Sequence, residues 1–509
     1  MKKDFRILLF YPNEPMLGVT PSNLAILSAC LKQGGFDVKL FDCTLYKFIK
    51  SETQDELRTK LGLVKKTDIN NYITLKEENI YDDFIKTVDE YKPNLIGITL
   101  VDSTIKFSLS FLERIKDRNI PVITGGVAST FLYEKILDTG LIDYVCVGEG
   151  EEAIVELCEK LYKKDDCKNI RNIYTKDKDG NIIKNPLRPL VNLDNLPIPD
   201  FTIYDDSRFF RPFMGNVVRM LQIDFDRGCQ HGCTYCAALS LRKTFLKNKC
   251  GKYYRVKSND KIFNEMKYLI EKYRLNFMWI SSETLLDLSL EQFKEFANRY
   301  QKEINLPFWC QSRLDTFTEE KTRLLAEMGC KNISIGLEHG SEEIRKKILN
   351  KHISNDVIID AIKLIAKYNI FPTLNNMLGF PNETRENIFE TIKLNKEISK
   401  ILNKKHNLNI FTFIPFSGTK LRQVCIENGY IEDNFDILFK GKKEIEFSVF
   451  SKSLLTMPSI SKDELYGLEK TLRLYILLPE SHWPDIKIAE QNNEEGKIMY
   501  EKLSKLLII

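Results

Sequence analysis

The sequence has little net charge and no long apolar run. Its 75 lysine and arginine residues nearly balance 71 acidic residues, which leaves a formal charge of +4. Nucleic-acid binding by bulk attraction needs a strongly basic surface, so we predict no nucleic-acid partner. No stretch approaches the roughly 18 apolar residues that a membrane-spanning helix needs, and we predict no membrane span.

A secretion signal is also missing, because residues 1–4 lead directly into a short apolar run. We therefore predict a cytoplasmic protein whose twelve cysteines are reduced thiols, metal ligands or core residues rather than a disulfide framework. With 43% hydrophobic and 29% charged residues over 509 positions, the chain has the composition of a folded globular protein of several domains.

Short apolar runs alternate with helical patterns over the first 150 residues. The runs occupy residues 5–10, 38–41, 95–100, 121–123 and 144–147. This rhythm is typical of a parallel α/β sheet. The region at about 46–90 contains a polar, lysine-rich stretch, and we predict a helical insertion there.

The loops that follow these strands are candidate binding residues, since ligands of an open parallel sheet bind beyond the carboxyl ends of its strands. Small and polar residues lie there: Gly18, Val19, Thr20, Asp102, Ser103, Gly125, Gly126, Gly148, Glu149 and Gly150. Any single glycine is explained as well by a tight corner. Four such corners on one sheet edge favour a ligand.

Three cysteines lie close together after the next predicted strand. They are Cys229, Cys233 and Cys236. Closely spaced thiolates suit a soft metal centre, and a set of three leaves one position open for a non-protein ligand. The alternative is a zinc loop with a remote fourth ligand, for which the candidates are His231, Cys250 and Cys310. The Cys-x3-Cys-x2-Cys spacing, with Tyr235 before the last cysteine, resembles the signature of the radical S-adenosylmethionine (SAM) enzymes.

That resemblance implies a [4Fe-4S] cluster on the three cysteines, with SAM at its open iron. Later apolar runs make, with the cysteine strand, six βα units, similar to the family's partial (βα)6 TIM-like barrel, whose strand ends would face the site. By resemblance, SAM would contact Tyr235, Glu283, Arg313 and Glu338. Surface ion pairing is the alternative for the charged residues among these. Residues 379–384 resemble the family's Gly-Phe-Pro-Gly-Glu-Thr turn, with Asn382 replacing the second glycine.

The two halves together resemble the cobalamin-binding subgroup, over about residues 1–425. The resemblance implies a flavodoxin-like, Rossmann-type cobalamin-binding domain at 1–190, a proline-rich linker at 191–215, the radical SAM barrel at 216–425 and a mostly helical substrate-capping extension at 426–509. The ten loop residues named above would contact cobalamin. None of the five histidines lies in the first 200 residues, so this domain supplies no histidine to the lower face of the corrin.

The resemblance also implies a reaction. SAM is split to a 5′-deoxyadenosyl radical, a small-molecule substrate loses hydrogen from an unactivated carbon, and methylcobalamin supplies the methyl group. Flavodoxin or ferredoxin is the implied electron donor. Cyclisation, oxidation or carbon-carbon coupling with the same cofactors is one alternative, and a non-catalytic metal-binding module is another. No catalytic residue beyond the cofactors is predicted. A basic run after the cysteines suits an anionic substrate, an electron-donor protein or a solvated loop.

Overall fold

The computed structural model describes residues 2, 4–13, 18, 20–47, 67–433 and 453–507. Within them the chain forms two seven-stranded sheets joined by an ordered linker, followed by a group of helices. No helix among the described residues is both long enough and apolar enough to cross a bilayer.

The first sheet is parallel except at one edge. Its strands are β1 (Arg6–Tyr11), β2 (Asp37–Asp42), β3 (Leu95–Thr99), β4 (Val122–Gly125), β5 (Tyr144–Cys146), β6 (Ile173–Lys176) and β7 (Ile182–Lys184). They are ordered β2-β1-β3-β4-β5-β6-β7. The pairs β5-β6 and β6-β7 are antiparallel, and all other pairs are parallel. The five parallel strands have the order of flavodoxin, which confirms the predicted fold of this half.

Among the described residues, five α-helices lie between these strands. They are Ser22–Gln33, Ile80–Tyr91, Ile105–Leu112, Val127–Leu137 and Glu151–Lys163. Of the insertion predicted at about 46–90, residues 48–66 lie outside the described part and residues 67–79 form turns and an isolated bridge rather than a helix. Within the described part of this region, the α-helix begins at Ile80.

The linker is pinned to the first helix. Asp200 accepts hydrogen bonds from Ser28 at 2.7 Å and from Lys32 at 2.6 Å, and its backbone N–H donates to the carbonyl of Ala25 at 2.9 Å. Further along, Arg208 is 2% exposed and donates from Nε to Asp42 Oδ2 at 3.0 Å. The predicted linker is therefore held in place against the first domain.

The second sheet is a curved half-barrel. Its strands are β8 (Phe210–Phe213), β9 (Asn216–Asp224), β12 (Phe277–Ser281), β13 (Phe308–Ser312), β14 (Cys330–Glu338), β15 (Phe371–Leu378) and β16 (Asn407–Thr412). Two short strands, β10 (Asp226–Arg227) and β11 (Arg255–Val256), pair separately. The order is β16-β15-β14-β13-β12-β9-β8, with only β8 antiparallel. The six parallel strands confirm the predicted partial barrel.

Helices cover the outside of this sheet. They are Ala237–Lys247, Asn259–Tyr273, Leu290–Glu303, Glu319–Glu327, Asn355–Lys367 and Arg385–Ile401. Those after the barrel are Lys420–Glu427, Lys462–Leu477, Trp483–Ala489 and Glu494–Lys505. The helix Lys462–Leu477 packs on both Arg385–Ile401 and β16, so the helical extension covers an edge strand that would otherwise be open.

One carboxyl group in this extension is buried against the barrel. Glu469 is 2% exposed and accepts a hydrogen bond from Thr412 Oγ1 at 2.7 Å. Burial raises its pKa from 4.5 to about 8. The folded protein thus holds a proton that the unfolded chain has lost, and the free energy of unfolding should fall as the pH rises from about 4.5 to about 8.

We expect Glu469→Gln to flatten this pH dependence, because the neutral amide keeps an acceptor for Thr412. Urea unfolding followed by tryptophan fluorescence at several pH values between 5 and 8 measures it. Glu397→Gln, an exposed position on the helix Arg385–Ile401, is the matched control. A variant whose stability falls with pH as steeply as the wild type would contradict the assignment.

Candidate functional site

The cysteine loop begins where β10 ends. Gly228 has φ +84°, and a Cβ there would lie 2.5 Å from the carbonyl oxygen of Tyr253, so this turn needs glycine. The loop ends at Cys236, which caps the helix Ala237–Lys247 and accepts from the backbone N–H of Ala238 at 3.4 Å. Strand pairing, glycine and cap together fix the loop without a metal.

The three thiols of this loop influence one another. Burial, aided by the charges of Glu283 and the other two cysteines, raises the pKa of Cys229 to about 11. Burial, aided by Glu283 and Cys233, also raises the pKa of Cys236 to about 11. These charge effects indicate that the thiols of the loop lie near one another. A cationic centre that replaces the protons would relieve the cost of charging them.

The candidate fourth zinc ligands are engaged elsewhere. His231 Nε2 lies 2.7 Å from Asp287 Oδ2, Cys250 is packed in the core of the first sheet, and Cys310 Sγ lies 3.8 Å from Cys330 Sγ. In the part of the chain that the structure describes, no three His, Cys, Asp or Glu side chains are set around a single ion. The donor set thus fits a multinuclear cluster, in which each thiolate binds a different iron, better than it fits one zinc.

Two of the residues predicted to contact SAM are bonded to each other. Tyr235 donates to Glu338 Oε1 at 2.9 Å, and Lys351 Nζ lies 3.1 Å from the same oxygen. Burial and the charge of Glu338 raise the pKa of Tyr235 well above its usual value, so the phenol stays a donor. Glu338 ends β14 at φ +66°, and its strained backbone points to a functional constraint at the strand end.

The other two residues predicted to contact SAM, Glu283 and Arg313, follow the ends of β12 and β13. Glu283 is exposed, and its carboxylate has no hydrogen-bond or ion-pair partner among the described residues. Partial desolvation by the surrounding protein, with a contribution from the charge of Asp224, raises its pKa. Its backbone N–H donates to Asp226 at 3.2 Å, and burial raises the pKa of Asp226 to about 7. Arg313 Nη1 lies 3.7 Å from Cys233 Sγ. Glu283 is therefore an open acceptor beside the thiols.

A buried pair that sequence reasoning missed supports this end of the barrel. His339 Nδ1 accepts from the backbone N–H of Ser341 at 3.0 Å, so its Nε2 carries the proton and donates to Glu383 at 2.7 Å. Glu383 also accepts from the backbone N–H groups of Gly379 and Phe380. The motif at residues 379–384 signalled a turn here, with Asn382 at φ +62°, but not the histidine partner.

The inner face of the half-barrel is aromatic and polar. Trp279 and Trp309 stack with their ring centroids 4.8 Å apart and their planes 11° apart. Asn375 donates to Ser334 Oγ at 2.9 Å and accepts from Asn409 Nδ2 at 2.9 Å. Strand residues alternate between faces, and the positions on either side of Trp279, Trp309 and Ser334 are apolar and buried. This lining, which the sequence analysis did not identify, suits a polar organic ligand.

The residues predicted to contact cobalamin lie after β1, β3, β4 and β5, at one edge of the first sheet. Val19 lies outside the described residues. Gly18, Gly126 and Gly148 have positive φ angles, whereas Gly125, Gly150 and Ser103 do not. The hydroxyl of Thr20 is buried without a hydrogen-bond partner in the described chain, and it is a free donor where a ligand amide or phosphate would lie.

Two acidic residues of this set contact the barrel instead. Asp102 accepts from the backbone N–H of Ser417 at 2.9 Å. Glu149 accepts from Arg255, at 3.2 Å to Oε2, and from Arg227 at 3.4 Å. Together with a hydrogen bond from Ser22 to Asp224, these contacts bring the carboxyl edge of the first sheet against the carboxyl end of the barrel. Ligands bound at the two edges would therefore face each other.

We expect Thr20→Val to separate cofactor binding from stability. The variant removes an unpaired buried hydroxyl at constant shape, so the cofactor-free protein should unfold within about 1 kcal/mol of the wild type. Cobalamin affinity should fall about 10-fold, the effect of one lost hydrogen bond. Absorbance titration with hydroxocobalamin measures it.

Thr322→Val is the matched control, because that buried hydroxyl is already satisfied by the carbonyl of Thr318 at 2.7 Å. It should show the reverse pattern, with lower stability and unchanged affinity. Equal cobalamin affinities of wild type and Thr20→Val would remove Thr20 from the binding site.

Two known family models match the two halves of the chain separately. The B12 binding domain model matches residues 64–158, which include the loops after β3, β4 and β5. The Radical SAM superfamily model matches residues 223–394, from the end of β9 through most of the half-barrel.

Several curated proteins match over most of the chain. An uncharacterized methyltransferase of Pyrococcus horikoshii is 27% identical over 363 residues, 70% of this chain and 74% of that protein. Cytidylyl-2-hydroxyethylphosphonate methyltransferase of Streptomyces wedmorensis is 22% identical, covering 81% and 79%. Anaerobic magnesium-protoporphyrin IX monomethyl ester cyclase of Rubrivivax gelatinosus is 23% identical, covering 81% and 69%.

Two solved structures share the fold. The cobalamin-dependent S-adenosylmethionine radical enzyme OxsB, solved with aqua-cobalamin and SAM, superposes with a TM-score of 0.64 at 15% identity, over 98% of this chain and 70% of that one. The radical SAM methyltransferase TsrM of Kitasatospora setae, solved with tryptophan and a SAM analogue, gives 0.61 at 17% identity, over 83% and 76%. Their likeness extends across both sheets.

Proposed function

We propose that this chain, which belongs to the radical S-adenosylmethionine enzymes that carry a cobalamin-binding domain, methylates an unactivated carbon of a small-molecule substrate. Its cofactors are a [4Fe-4S] cluster, SAM and cobalamin. The observation that carries the proposal is the apposition of the two carboxyl edges, held by the contacts of Asp102, Glu149 and Ser22.

In this proposal each cofactor has its own residues. The cluster is held by Cys229, Cys233 and Cys236. The free carboxylate of Glu283 receives the amino group of SAM, and the bonded Glu338 with Tyr235 forms a second wall of that site. Cobalamin occupies the edge that carries Thr20 and the glycines of the first sheet. The stacked pair Trp279 and Trp309 lies on the wall of the substrate site.

When bound, the cluster and SAM supply a 5′-deoxyadenosyl radical, and cobalamin supplies the methyl group. The chain itself positions the reactants and excludes water. Arg313 lies beside Cys233 and offsets negative charge near the cluster. Glu149, clamped by Arg227 and Arg255, ties the first sheet to the strand that leads into the cysteine loop. These contacts would fix the distance between the edges at which SAM and cobalamin bind.

A ring-forming or coupling reaction with the same cofactors is the second candidate. The observation in its favour is the similarity to a relative named as a magnesium-protoporphyrin ester cyclase. Such an enzyme would use the same radical but leave the methyl group of SAM out of the product.

One experiment distinguishes the candidates. The protein is reconstituted anaerobically with iron, sulfide and hydroxocobalamin, then incubated with dithionite, methyl-deuterated SAM and a small-molecule extract of the native cells. The proposal predicts 5′-deoxyadenosine, S-adenosylhomocysteine and a product that carries the deuterated methyl group. Formation of 5′-deoxyadenosine with no label transfer would favour the second candidate.

Reconstituted protein that holds only zinc and never cleaves SAM would contradict both candidates and favour a non-catalytic metal-binding module.

The cytoplasmic location and the electron donor of the flavodoxin or ferredoxin class also belong to the proposal. The chemistry supports both, since the cluster must be reduced before SAM is cleaved and oxygen destroys it.

A further inference from the structure

The outer face of the helix Ala237–Lys247 and the turn after it form an exposed basic surface. It carries Lys243, Lys247, Lys249 and Lys252, all exposed. None of these ammonium groups has a hydrogen-bond or ion-pair partner among the described residues, and residues 237–252 contain no carboxylate. We call this face the lysine surface. Its positive charge is uncompensated locally and so projects into solvent.

An apolar side chain lies within the lysine surface. Leu246 is 73% exposed, more than any other large hydrophobic residue in the described chain, and Val256 on the neighbouring strand β11 is 40% exposed. Exposed leucine surrounded by cations resembles the centre and rim of a protein interface. The preceding residue of the helix, Phe245, is buried and lies against Gly148 of the first sheet. The helix is therefore anchored, and its outer face is preformed.

The lysine surface is also close to the cluster loop. The helix begins at Cys236, so Lys243 is seven residues, or about 10 Å, along its axis from a cluster ligand. Arg242 on the same helix donates to the carbonyl of Gln230 in the cysteine loop. No other part of the described chain combines unpaired cations, an exposed leucine and a direct connection to the three thiols.

We propose that the lysine surface is the docking site of a small acidic electron-transfer protein whose redox group is a flavin or an iron-sulfur centre. This rests on the proposed function, which requires a source of single electrons. In the step, one electron passes from the reduced partner to the oxidised cluster; the partner is oxidised by one electron, the cluster is reduced by one, and no bond forms or breaks. Complementary charge speeds such encounters.

A nucleic acid is the other polyanion that cations attract. Single strands are usually held by exposed aromatic rings as well as by charge. One face of Tyr253 is stacked on Phe245, with ring centroids 5.7 Å apart, and neither Tyr253 nor Tyr254 is fully exposed. An acidic protein with an apolar contact fits the surface better.

The test compares two reductants on the reconstituted holoenzyme. In the variant Lys243→Glu, Lys247→Glu, Lys249→Glu, Lys252→Glu, stopped-flow absorbance follows cluster reduction by flavodoxin hydroquinone and, separately, by dithionite. At low ionic strength we expect reduction by flavodoxin to slow at least ~10-fold, with the dithionite rate unchanged. The difference should shrink toward 1 M salt, where charges are screened within about 3 Å.

The matched control reverses four exposed lysines on other helices: Lys86, Lys302, Lys393 and Lys400. It should accept electrons from flavodoxin at the wild-type rate. Equal flavodoxin rates in wild type and test variant, or equal slowing with both reductants, would overturn the docking proposal. So would salt-resistant binding of a single-stranded DNA oligonucleotide that only the test variant loses. Wild-type holoenzyme that dithionite cannot reduce would instead overturn the proposed function, and docking with it.

Discussion

Replacing Cys233 by alanine should abolish SAM cleavage and cluster binding together. Two remaining thiolates cannot hold a [4Fe-4S] cluster with one open iron, and the other candidate ligands, His231, Cys250 and Cys310, are engaged elsewhere. Cys229→Ala and Cys236→Ala should behave identically. The measurement is iron and sulfide content after anaerobic reconstitution, with 5′-deoxyadenosine formation from SAM under dithionite. We expect both to fall to the background of cofactor-free protein.

Cys30→Ser is the matched control, because Cys30 is half-buried on the first helix and no proposed cofactor contacts it. It should retain iron and SAM cleavage. A Cys233→Ala protein that still reconstitutes a full cluster would place the metal elsewhere in the chain. Retention of zinc by all three alanine variants would mean that the loop is not the metal site at all.

Glu383→Ala should cause the largest loss of stability among the single substitutions considered. It removes the acceptor of three buried donors, namely His339 Nε2–H and the backbone N–H groups of Gly379 and Phe380. An unsatisfied buried donor costs about 1–3 kcal/mol, so the free energy of unfolding should fall by about 3 kcal/mol or more.

Urea unfolding monitored by fluorescence measures the loss, since Trp279 and Trp309 both lie in the barrel sheet. Glu383→Gln keeps an acceptor oxygen and should lose distinctly less stability. Glu397→Ala, at an exposed site, should lose none. If Glu383→Ala unfolds at the wild-type urea concentration, the buried network contributes nothing and the turn at 379–384 is stabilised by packing alone.

The parallel strands of both sheets were predictable because each is an apolar run bounded by turns. The antiparallel additions were not. Ile182–Lys184 is three residues long and partly exposed, so it has too few buried side chains to give a pattern. Phe210–Phe213 contains a proline and is half-buried throughout, which is typical of edge strands. Short edges pair because of their neighbours, not because of their own sequence.

The cluster cysteines were predictable from local spacing, whereas their surroundings were not. Tyr235 reaches Glu338 only because the barrel brings β14 beside the cysteine loop, and Lys351 contacts the same carboxylate oxygen. Nothing in the sequence near Lys351 indicates that contact. His339 and Glu383, likewise, are 44 residues apart, and their pairing depends on the adjacent positions of β14 and β15.

Asp102 and Glu149 show a different kind of ambiguity. Both lie after strands at the edge predicted to bind a ligand, and both carry the polar groups expected of ligand contacts. The structure directs their carboxylates to Ser417 and to Arg227 and Arg255 of the other half. A residue that faces a ligand and a residue that faces a neighbouring domain occupy the same edge, and sequence pattern does not distinguish them.

The ordered linker at the end of the first domain has a consequence for protein engineering. Phe201 and Phe209 lie in a single core that is continuous between the two sheets, and Arg208 is buried on Asp42. Cutting the chain near residue 190 would leave Arg208 on one fragment without Asp42. It would expose an apolar surface on the other fragment. A chimaera that exchanges the amino-terminal half between relatives should therefore place its crossover after residue 209, so that the linker stays with the sheet on which it packs.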